Sequence, residues 1–174
     1  RNNDITVKAE ITIAEMISGK DIIATYRLGT GTVETIEISI PIGARPGMRI
    51  QYAGMGDDTH AALPRGNLYV LVAVIGKANW DVRNNDLYTT HTVNVFDMIL
   101  GTKIDFETLD NKKVLLKIPA GTKAGTTFGL VAQGIPDVTT KKRGRLLIQI
   151  HPYIPQLNDG ESAKLRELKD LMDT

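Results

Sequence analysis

The side chains best suited to proton transfer or metal ligation near neutral pH are His60, His91 and His151, and their placement serves neither task. His60 falls in a polar loop, His91 in mid-strand and His151 at a strand end; none has a second histidine or a carboxylate pair at ligand spacing. Cysteine is absent, which removes thiol nucleophiles, thiolate zinc sites and disulfides and fits a reducing compartment, so a cytoplasmic location is expected. Ser18, Ser39 and Ser162 read as turn, strand and helix start, without the strand-to-helix elbow of a serine nucleophile. Gly54-Met55-Gly56 is too short to cradle a phosphate, and Asp57-Asp58 reads as a solvated turn. Lys141-Lys142-Arg143 with Arg145 is a basic loop lacking the interleaved aromatics of a nucleic-acid surface. With 21 Lys+Arg against 20 Asp+Glu, no global field draws the chain to nucleic acid or an anionic membrane. Leu68 to Ile75, the longest apolar run, is far too short to cross a bilayer. No catalytic residue, metal or cofactor is expected, and function falls to local binding.

What must position a binding surface is a scaffold written twice. Ile40-Pro41-Ile42-Gly43-Ala44-Arg45-Pro46-Gly47 returns as Ile118-Pro119-Ala120-Gly121-Thr122-Lys123-Ala124-Gly125, 78 positions later. Proline fixes φ and the glycines allow φ > 0, so each copy makes a rigid corner after a strand, with one cation between the glycines. Arg65-Gly66-Asn67-Leu68-Tyr69-Val70 is echoed by Arg143-Gly144-Arg145-Leu146-Leu147-Ile148 at the same spacing, and Asp86 to Gly101 aligns without gaps on Asp4 to Gly19 at an offset of 82. Ile5, Val7, Ala9, Ile11 and Ile13 alternate with polar residues, as do Ile22, Ala24, Tyr26 and Leu28, then Ile36, Ile38 and Ile40, which predicts half-buried strands. Leu68 to Val74 is continuously apolar and is expected to be covered on both faces. Gly76 to Asn85 reads as a polar connector docked by Trp80. After Pro155, Asn158 and Glu161 have capping-box spacing and open a helix with an apolar stripe of Leu165, Leu168 and Met172, with Leu171 beside it.

The expected fold is mostly β: two tandem β-sandwich-like subdomains, each with a short helix, plus a C-terminal α-helix. The boundaries are 1–76, a connector at 77–85, 86–155, and the helix at 156–174. Opening at Arg1 rather than Met, the sequence reads as a fragment of a longer chain.

Several spaced motifs in one order carry a resemblance. Beside the two corners they are Gly54-Met55-Gly56-Asp57, Gly66-Asn67-Leu68-Tyr69-Val70, Trp80-Asp81-Val82-Arg83 before Asn85-Asp86-Leu87-Tyr88, and Gly134-Ile135-Pro136. Together they resemble the C-terminal client-binding region of DnaJ-type J-domain co-chaperones, over nearly the whole chain. The resemblance implies a homodimer that binds hydrophobic segments of unfolded polypeptides and delivers them to a seventy-kilodalton heat-shock chaperone. His151-Pro152-Tyr153 is not the His-Pro-Asp triplet of a J-domain, and the lack of cysteine matches the zinc-less class. By position, the resemblance implies a client groove formed by Val7 and Ala9 on one strand and Ile22, Ala24 and Tyr26 on another. The second unit has Thr89 and His91 where the first has Val7 and Ala9, so the first is the more apolar of the two. Lys8, Lys20 and Arg27 are the candidate contacts for the partner chaperone's acidic tail, and Leu165, Leu168, Leu171 and Met172 for the dimer. The competing expectation is a structural β-sandwich protein that self-associates through its C-terminal region.

Overall fold

Alternation of β-branched and polar residues makes Ile5–Thr12 a strand, β1, in the computed structural model, which describes all of residues 1–174. Thr12 then caps helix α1 (Ile13–Ser18): its hydroxyl accepts the Glu15 N–H while Glu15 reaches back to the Thr12 N–H, and Gly19 at φ 73° ends the turn. Strands β2 (Lys20–Arg27) and β3 (Val33–Ile40) form an antiparallel hairpin of their own, pairing Lys20 with Ile40 through to Arg27 with Val33. The first corner follows, with Gly43 and Gly47 at φ 84° and 82°, values that favour glycine. It leads into β4 (Arg49–Tyr52), a loop, and β5 (Leu68–Ile75), which returns parallel to β1 and gives a sheet of order β1-β5-β4.

The second half repeats the plan with one addition. Strand β6 (Trp80–Arg83) pairs antiparallel with β7 (Asp86–Asn94), then come α2 (Val95–Leu100) and the hairpin of β8 (Thr102–Glu107) and β9 (Lys113–Ile118). Strands β10 (Thr127–Leu130) and β11 (Leu146–Tyr153) complete a sheet of order β10-β11-β7-β6. Helix α3 (Asp159–Met172) closes the chain behind the Asn158/Glu161 capping box. The fold is mostly β and sandwich-like, each half facing a sheet with a hairpin.

Sheet and hairpin meet through their inner faces. Ile38 and Ile40 of β3 join Ile11, Val70 and Val72 in a cluster of 20 buried residues that continues into Leu87, Ile135 and Ile148 of the second half. The halves touch where the first corner rests on the loop after β10: the Arg45 guanidinium donates to Asn85 Oδ1, and a Cβ on Gly43 would stand 2.6 Å from the Pro136 carbonyl oxygen. Of the two faces of β5, only one is covered. Leu68, Val70 and Val72 are buried, but Leu71 is 36% exposed and Tyr69 lies under the Arg49 guanidinium, 4.3 Å from its ring. The hairpin packs on the inner face alone, which corrects the expectation of a strand covered on both sides. The polar 77–85 segment likewise contains a strand, β6, and β10 had no clear signature in the sequence.

The duplicated polar motifs perform duplicated tasks. Asp4 Oδ1 accepts the Asn67 N–H at 2.7 Å, and Asp86 Oδ1 accepts the Arg145 N–H at 2.7 Å. Arg65 and Arg143 each donate to a glycine carbonyl nine residues upstream, Gly56 and Gly134, at 2.8 Å. The Arg145 N–H, then its guanidinium, holds the Asp86 carboxyl below the usual aspartate range, and Arg65, then Tyr26, does the same for Glu34. A carboxylate pKa lower in the folded than in the unfolded chain stabilises above the unfolded value and loses that contribution as pH falls through the folded one. Urea midpoints are therefore expected to hold steady from neutral pH to about 5 and to fall below about pH 4. Asp86→Asn should be less stable at neutral pH and less steeply acid-sensitive; an unchanged acid profile would contradict this assignment.

Candidate functional site

The first half leaves one edge of each of two strands unpaired. β1 is the outermost strand of its sheet, bonded only to β5, and β2 is bonded only to β3, so each presents a row of main-chain donors and acceptors without a ladder partner. Val7 from β1 and Ile22 and Ala24 from β2 are half-buried and pack on the main core cluster. All three keep partial exposure to solvent. Ala9 and Tyr26 lie deeper, only 2% and 6% exposed. Of the groove candidates these two are buried: Ala9 belongs to the core, and Tyr26 sits in a small separate cluster with Leu28 and Leu68.

Tyr26 is also fixed through its hydroxyl. Its hydroxyl lies 2.9 Å from Glu34 Oε2 and 2.8 Å from the Met55 carbonyl, both acceptors. Glu34 in turn receives both terminal nitrogens of Arg65, at 3.2 and 3.0 Å. Burial, and then the Glu34 carboxylate, pushes the Tyr26 phenol above its ordinary pKa, so it remains a neutral donor. The end of β2 is further strapped to the 54–67 loop by Asp57, whose Oδ1 accepts the Gly29 N–H at 2.7 Å. The end of β2 is therefore held by a frame of hydrogen bonds, and what β1 and β2 can offer a ligand is apolar contact plus main-chain hydrogen bonding.

The three candidate cations lie on β1 and β2. Lys8 pairs with Glu10 at 3.0 Å and Lys20 with Glu15 at 2.7 Å, while Arg27 is exposed at the end of β2. An acidic peptide would have to displace Glu10 and Glu15 to use the two lysines. On α3, Leu165, Leu168, Leu171 and Met172 are all exposed, the last two at 72% and 77%. Leu165 and Leu168, with Phe96, Pro155 and Leu157, line a cleft of about 490 Å³ between α3, the start of α2 and the segment that precedes α3. No group of three or more His, Cys, Asp or Glu could hold a metal ion, and no helix is long and apolar enough to cross a membrane.

The connector, expected to be polar and docked by Trp80, contains a strand of the second sheet, which sequence reasoning missed. There, Trp80 of β6 lies over the hairpin strand β8, its ring 6.1 Å from that of Phe106, and Trp80 and Val82 pack on the core. Their period-two spacing inside a polar segment was the available signal.

Residues 3–155 match the family described as the DnaJ C terminal domain. Among curated relatives, the chain is 33% identical over 146 residues to chaperone protein DnaJ 2 of Aquifex aeolicus, covering 80% of this chain and 39% of that protein. It is 36% identical over 139 residues to chaperone protein DnaJ of Clostridioides difficile, covering 79% and 36%. To chaperone protein DnaJ of Haloferax mediterranei it is 32% identical over 146 residues, covering 82% and 38%. The chain thus spans well under half the length of these relatives, each of which is named a chaperone protein. With its duplicated corners, its paired sheets and hairpins and this match over nearly its whole length, the chain belongs to the DnaJ C-terminal domain family.

Proposed function

We propose that this chain is the client-holding part of a DnaJ-type co-chaperone, in which extended apolar segments of unfolded polypeptides lodge between β1 and β2 for transfer to a seventy-kilodalton heat-shock chaperone. The observation that carries this reading is the pair of open strand edges flanking the half-buried Val7, Ile22 and Ala24. Strand addition supplies hydrogen bonds that tolerate any client sequence, and the apolar lining selects segments that belong inside a folded protein. Burying one client Leu side chain contributes roughly 1.5–3 kcal/mol, which favours weak, reversible capture over tight binding. The test is titration of a permanently unfolded protein, with suppression of its aggregation as the second readout. Saturable binding supports the proposal, and no affinity for unfolded chains would overturn it.

A second copy of this chain is the partner proposed for α3, because its apolar stripe stays exposed in the single chain. Two troughs in one dimer would raise avidity for a client long enough to span them, without any new contact. The prediction is a dimer by sedimentation that Leu168→Asp with Leu171→Asp converts to monomer at unchanged thermal midpoint. A wild-type monomer throughout the micromolar range would contradict it. An acidic tail of the partner chaperone would bind the Lys8, Lys20 and Arg27 rim by exchanging with Glu10 and Glu15.

A further inference from the structure

The second half already contains, within its own chain, an occupant for the place that the first half leaves open. β1 and β7 are equivalent by their gapless alignment and by their parallel partners, since Ile5 pairs with Leu68 as Leu87 pairs with Leu146. β1 has one neighbour; β7 has two, and the extra one is β6. Trp80 stands opposite Thr89, the counterpart of Val7, and Val82 opposite Leu87, the counterpart of Ile5. Trp80 also packs beside Phe106, which occupies on β8 the position of Ala24 on β2. The connector strand therefore fills the space between sheet edge and hairpin strand.

The two lining sets differ in size and polarity. Phe106 is buried and takes up room that Ala24 leaves free, while Thr89 donates its hydroxyl to the Asn79 carbonyl oxygen at 2.8 Å, a contact Val7 cannot make. Asp81 and Arg83 alternate outward, paired with each other at 3.0 Å, and Arg83 lies over the Tyr88 ring at 4.6 Å.

We propose that the first half takes its client as a strand antiparallel to β1, with a bulky aromatic side chain opposite Val7 and an aliphatic one opposite Ile5, the arrangement β6 adopts on β7. This deepens the client-binding reading above and rests on it. The preferred client motif is an aromatic, any residue, then an aliphatic, with the outward residue free to be charged. Because Ala24 is small, the aromatic ring sits against Val7 and Ala24 in the room that Phe106 fills in the second half.

The probe is a synthetic peptide with the sequence of residues 77–85, tested on the whole chain beside a version with one glycine inserted between Asp81 and Val82. The inserted residue puts the aliphatic side chain on the opposite face of the strand. Fluorescence anisotropy is expected to show binding about tenfold or more weaker for the respaced peptide. Spin labels on the two peptide ends read direction by broadening of backbone amide signals: the amino-terminal label should broaden Glu10 and Ile11, the carboxy-terminal label Asn2 and Asn3. Equal affinities, or the opposite pattern of broadening, would overturn the proposed motif and direction while leaving β1 and β2 as the client site. Broadening confined to Thr89–His91, or none at millimolar peptide, would overturn both.

Discussion

Ile22→Asp and Val7→Asp should each weaken binding of an unfolded client by roughly 10- to 100-fold, the equivalent of losing one buried apolar contact and adding a charge that must stay hydrated. Both side chains are only half-buried, so the carboxylate can turn toward solvent and the thermal midpoint should move by a few degrees at most. Tyr26→Asp is a poor probe, because it would break the contacts to Glu34 and Met55 and report on stability instead. As a positional control, Thr90→Asp on the exposed face of β7 should leave client affinity within about twofold. Full client affinity in folded Ile22→Asp and Val7→Asp proteins would remove the trough from consideration.

The largest stability effect is expected at two glycines fixed by the duplication. A Cβ on Gly66 would stand 1.9 Å from the Asn3 carbonyl oxygen, and one on Gly144 2.0 Å from that of Asn85. Both obstacles are backbone, within two residues of the start of β1 and of β7, so relief requires shifting the start of a ladder rather than turning a side chain. Gly66→Ala and Gly144→Ala should each cost about 2–4 kcal/mol, read as a lowered urea midpoint. Gly76→Ala, with nothing within 4 Å of its added carbon, should change stability by less than about 0.5 kcal/mol. Equal midpoints for Gly66→Ala and Gly76→Ala would mean that the close approach does not hold in solution.

Those glycines also show why so much of the scaffold is legible in the sequence. A close approach of one backbone to another admits only glycine, a corner with φ > 0 strongly prefers it, and a strand with one buried face must alternate, so the same constraints printed the same residues twice. The capping box at Asn158 and Glu161 is local chemistry and could be placed to the residue. The trough is less legible because period two separates inward from outward residues but not depth among inward ones. Val7 and Ala9 obey the same pattern, yet one is half-buried and the other fully buried in the core. Tyr26 faces inward like Ala24 but is claimed by Glu34 and Met55, partners 8 and 29 residues away that no local window contains. β6 was obscured by its polar flanks and its brevity, and its pairing depends on β7, whose outer edge is free to receive it. Contact between the halves through Arg45 and Asn85 joins positions 40 apart and leaves no periodic trace.

Hydrogen exchange on the whole chain, with and without a saturating permanently unfolded client, tests the open-edge site most directly. Amides of β1 should gain the most protection on client binding, because its unpaired edge acquires a strand partner, with a smaller gain on β2 as the bound client excludes water from it, while those of β7 and β8 stay unchanged. Protection that appears on β7, β8 or α3, with β1 and β2 exchanging as they do in the free protein, would contradict it.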